Sequence, residues 1–155
     1  MGTEIERKFL IVSEAWRTDA TDSVKMTQGY IAETEFCSIR IRVAGERAWL
    51  NIKEMKLGMR RGEFEYPVPA EEGQDMLRRF CVGGLIEKVR HQVRHGDHVW
   101  EIDEFAGSNL GLILAEVELS SVDERIDLPP WVGEEVTDDS RYYNIKLAHF
   151  PYLEW

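Results

Sequence analysis

The chain has 155 residues, 29 acidic against 19 basic, for a formal net charge of −10. Such a length encloses one core or one small barrel, and the charge disfavours non-specific attachment to nucleic acid or to an anionic membrane surface. With 43% hydrophobic and 31% charged residues the composition is that of a self-folding globular chain, and a single domain over 1–155 is expected. Cys37 and Cys81 form no pairing or metal motif, and the opening MGTEIERKFL carries charges where a secretory leader needs an apolar run. A cytoplasmic location is therefore expected. No apolar run approaches the roughly 20 residues that span a bilayer.

In chain order, period-two alternation predicts strands over 3–12, 24–35, 37–43, 47–55, 60–68, 85–94, 98–105 and 113–121. Turn signals at Ala44-Gly45-Glu46, Lys56-Leu57-Gly58 and His95-Gly96-Asp97 favour antiparallel hairpins. Helices are expected at 13–17, at 70–82 and at about 140–149. In the second, Met76, Leu77, Phe80 and Cys81 share a face before Gly83 and Gly84 stop the helix; Asp138 or Asp139 caps the third. The predicted class is α+β, mostly β: an eight-stranded antiparallel closed β-barrel with a few covering helices.

The polar positions of these strands are almost all ionic, and they come in i, i+2 pairs of one sign. They run Glu4, Glu6 and Lys8; Arg40 and Arg42; Lys53; Glu63 and Glu65; Lys88 and Arg90; Glu101 and Asp103; Glu116 and Glu118. The alternate positions are apolar, among them Ile5, Phe9, Ile39, Ile41, Ile52, Phe64, Val89, Ile102, Val117 and Leu119. A solvated outer face would mix signs and include Thr, Ser and Gln. Like charges about 7 Å apart repel, so single-sign strands call for a partner of opposite charge. A barrel with the charges inside supplies one: carboxylates converge on Mg²⁺ or Mn²⁺, and guanidinium and ammonium groups on linked phosphates. On this reading Glu4, Glu6, Asp103, Glu116 and Glu118 hold metal. Lys8, Arg40, Arg42, Lys53, Lys88 and Arg90 bind a triphosphate, while Glu63 and Glu65 support the arginines. The eight acids and six bases of this face total −2, which two divalent cations would turn to +2.

Glu4-Ile5-Glu6-Arg7-Lys8 matches the E-x-E-x-K signature of the CYTH superfamily, the triphosphate tunnel metalloenzymes. The likeness continues through the ordered charge series, and the ending from Trp131 to Thr137 and Arg141 to Asn144 resembles the short bacterial members. The resemblance implies an eight-stranded tunnel and divalent-metal chemistry on a triphosphate. Members include inorganic, thiamine and RNA 5′-triphosphatases and class IV adenylyl cyclases. The cyclases carry an upstream His-Phe element, for which the three residues before Glu4 leave no room. A minimal tunnel favours a minimal substrate, so the expected reaction is hydrolysis of tripolyphosphate to diphosphate and phosphate. The alternatives are a class IV adenylyl cyclase, a nucleoside or thiamine triphosphatase, and a non-catalytic polyphosphate- or nucleotide-binding module.

Positioning carries most of the expected catalysis, with Lys8, Lys53 and Glu116 among the catalytic groups. The water is oriented by Glu116 or Glu118, or deprotonated by Tyr30, which the resemblance places beside Lys53. An unperturbed tyrosine titrates near about 10, so the second route predicts an alkaline optimum. The expected partner is a small-molecule triphosphate, without nucleic acid or membrane; a homodimer is left open. His91, His95, His98 and His149 lack ligand spacing and read as structural, Lys146 as a solvated helix-end lysine, and Tyr142 and Tyr143 as packing groups. Trp49, Trp100 and Trp131 read as cover for the outer barrel face. No Walker, dinucleotide-binding or nucleophile-elbow motif occurs.

Overall fold

The computed structural model describes residues 2–155. Its strands are β1 (Glu4–Ile11), β2 (Ala20–Glu33), β3 (Cys37–Ala44), β4 (Arg47–Glu54), β5 (Arg60–Arg61), β6 (Glu63–Val68), β7 (Val82–His95), β8 (His98–Phe105), β9 (Ile113–Glu118) and β10 (Val132–Glu135). Two α-helices, α1 (Ala70–Arg79) and α2 (Asn144–His149), and four 3₁₀ turns complete the described chain. Every pairing is antiparallel, in the order β10-β1-β9-β8-β7-β2-β3-β4-β6. Two hairpins close through two-residue loops, and Gly45 (φ 59°) and Gly96 (φ 60°) supply the left-handed backbone at their first positions.

The expected closed barrel is instead an open, curled sheet. The free edge of β1 is shared out among short partners, which leaves no room for a ladder to β6. Glu4 and Ile5 pair with β5, Glu6 N–H bonds Met59 O, and Phe9 and Ile11 pair with β10. Among the described residues, an exchange between Gly2 and Glu63, at 3.0 and 3.3 Å, joins β6 to the segment before β1. Eight expected strands become ten because Gly62 splits 60–68 into β5 and β6 and because the ending adds β10.

Outside the curl, α1 lays Leu77 on Ile41, Val43 and Ala48. Gly73 makes this approach possible, since a Cβ there would meet the Ala48 Cβ at 2.5 Å. The expected helix 70–82 ends at Arg79: Phe80 is exposed, and Gly83 and Gly84 lie inside β7 rather than stopping a helix. A second outer cluster joins Phe9, Trp16, Val93, Trp100, Ile102, Val117 and Trp131, so Trp100 and Trp131 do cover the outer face. Trp49 does not. It pairs with Arg42 in register and shares its inward side, with the guanidinium 5.5 Å from the ring centroid.

Apolar residues also continue the inward parity at one end of the curl. Tyr30, Ile86, Phe105 and Leu114 form a cluster there with Ile145, Leu147 and Ala148 of α2. The expected helix 140–149 is two pieces, a 3₁₀ turn at Ser140–Tyr142 whose N-cap Asp139 accepts from Arg141 N–H, and α2. The short helix fills this end, leaving the ionic layers above it as the lining of a cavity.

Candidate functional site

The cavity measures about 1190 Å³ and is lined by inward residues of β1 to β9 and by the segment before α2. On its wall stand Glu4, Glu6 and Lys8 of β1, Tyr30 of β2, Arg40 and Arg42 of β3, and Lys53 of β4. Glu63, Glu65, Lys88, Arg90, Glu101, Glu116 and Glu118 complete the ionic set. The alternation of the strands thus brings the charges to one space, and α1, Trp100 and Trp131 cover the opposite faces.

The floor, on β7 and β8, is the most rigidly paired part. Asp103 is fully buried, and instead of facing the cavity it accepts from Lys88 Nζ at 2.6 Å and from Arg90 at 2.7 and 2.8 Å. Burial raises the Asp103 carboxyl, but Arg90 and Lys88 outweigh it and hold the group below the usual carboxylate range. Three of the roughly four lone-pair sites of its carboxylate accept these donors, so here it serves to orient two cations. Burial pushes the Lys88 ammonium down to about 8 against the pull of Asp103. Arg90 stays charged despite burial because Asp103, Glu101 and Glu116 surround it. Glu116 lies between Lys8 at 3.1 Å and Arg90 at 3.1 Å. Burial opposes its charge, yet Lys8, Arg90 and Lys88 hold its carboxyl well below the ordinary value.

The arginines of β3 are less well matched. Arg42 meets Glu65 at 3.2 Å, while burial and the neighbouring Arg40 and Arg90 push it down to about 10. The buried Nε atoms of Arg40 and Arg42 have no partner, nor does either amide atom of the fully buried Gln28, which sits opposite Arg42 in register. Uncompensated cations and unused donors of this kind suit a polyanion. Asn51, between Arg40 and Glu65 in register, donates to Glu63 and Glu65 and fixes both carboxylates.

The acidic wall is looser. Glu6 and Glu118 are partners in the β1–β9 register, with Glu4 two residues from Glu6. Burial and then Glu116 raise the Glu6 carboxyl, and burial, Glu4 and Glu6 raise that of Glu118. Carboxyls raised by burial and by neighbouring carboxylates have the chemistry of a hard-cation site, so Glu6 and Glu118, with Glu4 beside them, fit a divalent metal. Among the described residues no three such side chains form a ready-made cluster. Basic groups stand among them: Lys53 bonds Glu4 and lies 3.9 Å from Glu6, and Arg61 reaches Glu6 at 3.4 Å. Lys53 is therefore engaged with the acids and not with Tyr30, which is buried at an irregular step of β2 opposite Arg40.

Arg61 and Asn144, whose Oδ1 accepts from Lys88 at 3.3 Å, line the cavity, and the buried Asn51 and Gln28 lie behind its wall; none was singled out in the sequence. Tyr143 donates to Thr137 O at 2.7 Å and offers its ring to Lys8 and Arg61. The four histidines each meet a carboxylate, at 2.7 to 3.1 Å, and only His98 also lines the cavity. Lys146, expected as a solvated helix-end lysine, is half exposed but lines the cavity, 3.8 Å from Glu33. No described helix is long and apolar enough to cross a membrane.

A CYTH domain model matches residues 2–148. The chain belongs to the CYTH family. An inorganic triphosphatase of Acetivibrio thermocellus is 39% identical to this CYTH chain over 152 residues, covering 98% of it and 97% of that protein. One of Nitrosomonas europaea is 36% identical over 150 residues, with coverages of 94% and 97%. A solved inorganic triphosphatase structure superposes with a TM-score of 0.66 at 33% identity, covering 96% of the CYTH chain and 95% of its own.

Proposed function

We propose that the chain hydrolyses inorganic triphosphate to diphosphate and phosphate in a divalent-metal-dependent reaction. The observation that carries this reading is one cavity with an under-neutralised Arg42 and unpaired arginine Nε atoms on β3 facing carboxyls raised by burial and by neighbouring carboxylates on β1 and β9. Two relatives bearing the name inorganic triphosphatase, similar over nearly their whole length, support it.

Arg40, Arg42, Lys88 and Arg90 would grip the phosphate chain, with Asp103 fixing the last two. Lys8 and Lys53 would add charge where it builds up on the terminal phosphoryl group, in a cavity of low dielectric where such groups act strongly. Mg²⁺ or Mn²⁺ held by Glu4, Glu6 and Glu118 would supply Lewis-acid polarisation of phosphate oxygens and an acidified water. Glu116, held ionised by three cations, is a weak base; Glu118 is the better placed carboxylate to orient the attacking water. Tyr30 can serve with Lys53 only after the lysine leaves Glu4. If Tyr30→Phe keeps the wild-type rate at high pH, the tyrosine route is excluded.

Phosphate release from tripolyphosphate, ATP, thiamine triphosphate and diphosphate, each with and without Mg²⁺ or Mn²⁺, tests the assignment. Release from tripolyphosphate should dominate and require metal. Equal rates on ATP would remove the small-substrate claim, and formation of cyclic AMP faster than phosphate would make the chain a cyclase.

A further inference from the structure

The six bases of the strand pattern do not exhaust the cations of the cavity. Arg61 stands on β5, the two-residue strand that bridges the open seam, directly opposite Glu4 in register. Its side chain is only 12% exposed. The guanidinium lies 4.8 Å from the ring centroid of Tyr143, the same ring that faces Lys8 at 5.4 Å. The ring contact anchors the guanidinium, and the residue lines the cavity. Of its five N–H donors, one makes a hydrogen bond among the described residues, to Glu6 at a long 3.4 Å. None of its nitrogens is among the buried atoms left without a partner, so the unused donors open onto the cavity, where an anion can reach them.

We infer that Arg61 is a phosphate-binding residue, which moves from Glu6 to the triphosphate when the substrate enters. The inference rests on the proposed triphosphate site. Two consequences distinguish it from a simple ion pair. Drawing Arg61 off Glu6 uncovers a carboxylate of the acidic wall, so that anion and divalent cation help each other to bind. A ligand gripped at once by β3, β7 and β5 also ties together a seam otherwise held by a few backbone bonds.

Binding of tripolyphosphate measured by calorimetry in excess chelator tests this without turnover or metal. Arg61→Ala should weaken binding roughly 10- to 100-fold, as expected for a lost charge-assisted pair, and Arg61→Lys should fall between because a point charge replaces the fork. Arg60→Ala, on the same strand but opposite the outward Ile5, should bind like wild type. Removing Arg61 also unmasks Glu6, so the loss is measured again in a Glu6→Gln background. A loss that persists there marks direct contact with phosphate, and a loss that vanishes overturns the inference and leaves Arg61 as a charge mask. Wild-type affinity in Arg61→Ala, alongside weakened binding in Arg42→Ala, would overturn the Arg61 inference alone. No binding to the wild-type chain would remove the triphosphate site and Arg61 with it. If Arg61→Ala does not fold, Arg61→Lys and Arg61→Gln carry the same comparison.

Discussion

The floor of the cavity and its seam wall are built from the same kinds of residue in opposite ways. On the floor, Lys88, Asp103 and Glu116 are buried and, with the partly buried Arg90, interlocked at 2.6 to 3.1 Å, on central strands. On the seam wall, Glu6 meets its basic neighbours at 3.4 and 3.9 Å, on a strand edge divided between short partners. The difference separates two tasks. Binding a polyanion benefits from cations that cannot turn away, so the floor holds them with an internal counter-ion. Admitting a metal requires carboxylates that can release the groups covering them, and the wall leaves Glu6 loosely paired while Glu4 is held by the single mobile ammonium of Lys53.

The largest way to break this contrast is to remove the floor's counter-ion. Asp103→Ala strands two buried cations and should cost about 3 to 5 kcal/mol, measured by urea unfolding, with activity lost alongside. Glu6→Gln should do the opposite to stability: the repulsion with Glu4, Glu116 and Glu118 falls, so the melting temperature holds or rises. Phosphate release should still drop by more than about 100-fold, because the wall has lost a charged ligand. A parallel fall in stability and activity in Glu6→Gln would mean that the two regions do not differ.

The pH profile offers a third, moderate effect. Lys88 is charged in the free chain below about 8 and loses its proton above it. Bound triphosphate favours the ammonium, so above pH 8 binding must take up a proton and KM should rise by up to about tenfold per pH unit. Below pH 8 this group leaves KM flat. The smallest effect belongs outside the cavity: Arg7→Ala breaks the pair with Glu135 at 2.7 Å, and should cost less than about 1 kcal/mol and leave phosphate release unchanged.

Much of the site was legible because strand alternation assigns each side chain to a face, so the same-sign pairs of neighbouring strands had to meet in one space. Depth was not legible. Asp103 has the inward parity of Glu101, but Lys88 and Arg90 close over it, and nothing in the alternation encodes which of two neighbours lies behind the other. Arg61 was hidden because, two residues before Glu63, it has the inward parity of Glu63 and Glu65 but the opposite sign, so it forms no same-sign pair. Neutral inward residues such as Asn51 and Gln28 carry no charge to flag them, and Trp49 has inward parity that its apolar character masks. Closure depends on which segments compete for the β1 edge, a long-range choice between β5, β6 and β10 that local pattern does not contain.

The most direct test of the two-region account is a crystal structure with tripolyphosphate and Mn²⁺, using the anomalous signal of manganese to place the metal. The expected result is a phosphate chain in hydrogen-bond contact with Arg40, Arg42 and Arg90, and a manganese peak against Glu4, Glu6 and Glu118. Manganese on Asp103, or a phosphate chain bound outside the cavity, would contradict it.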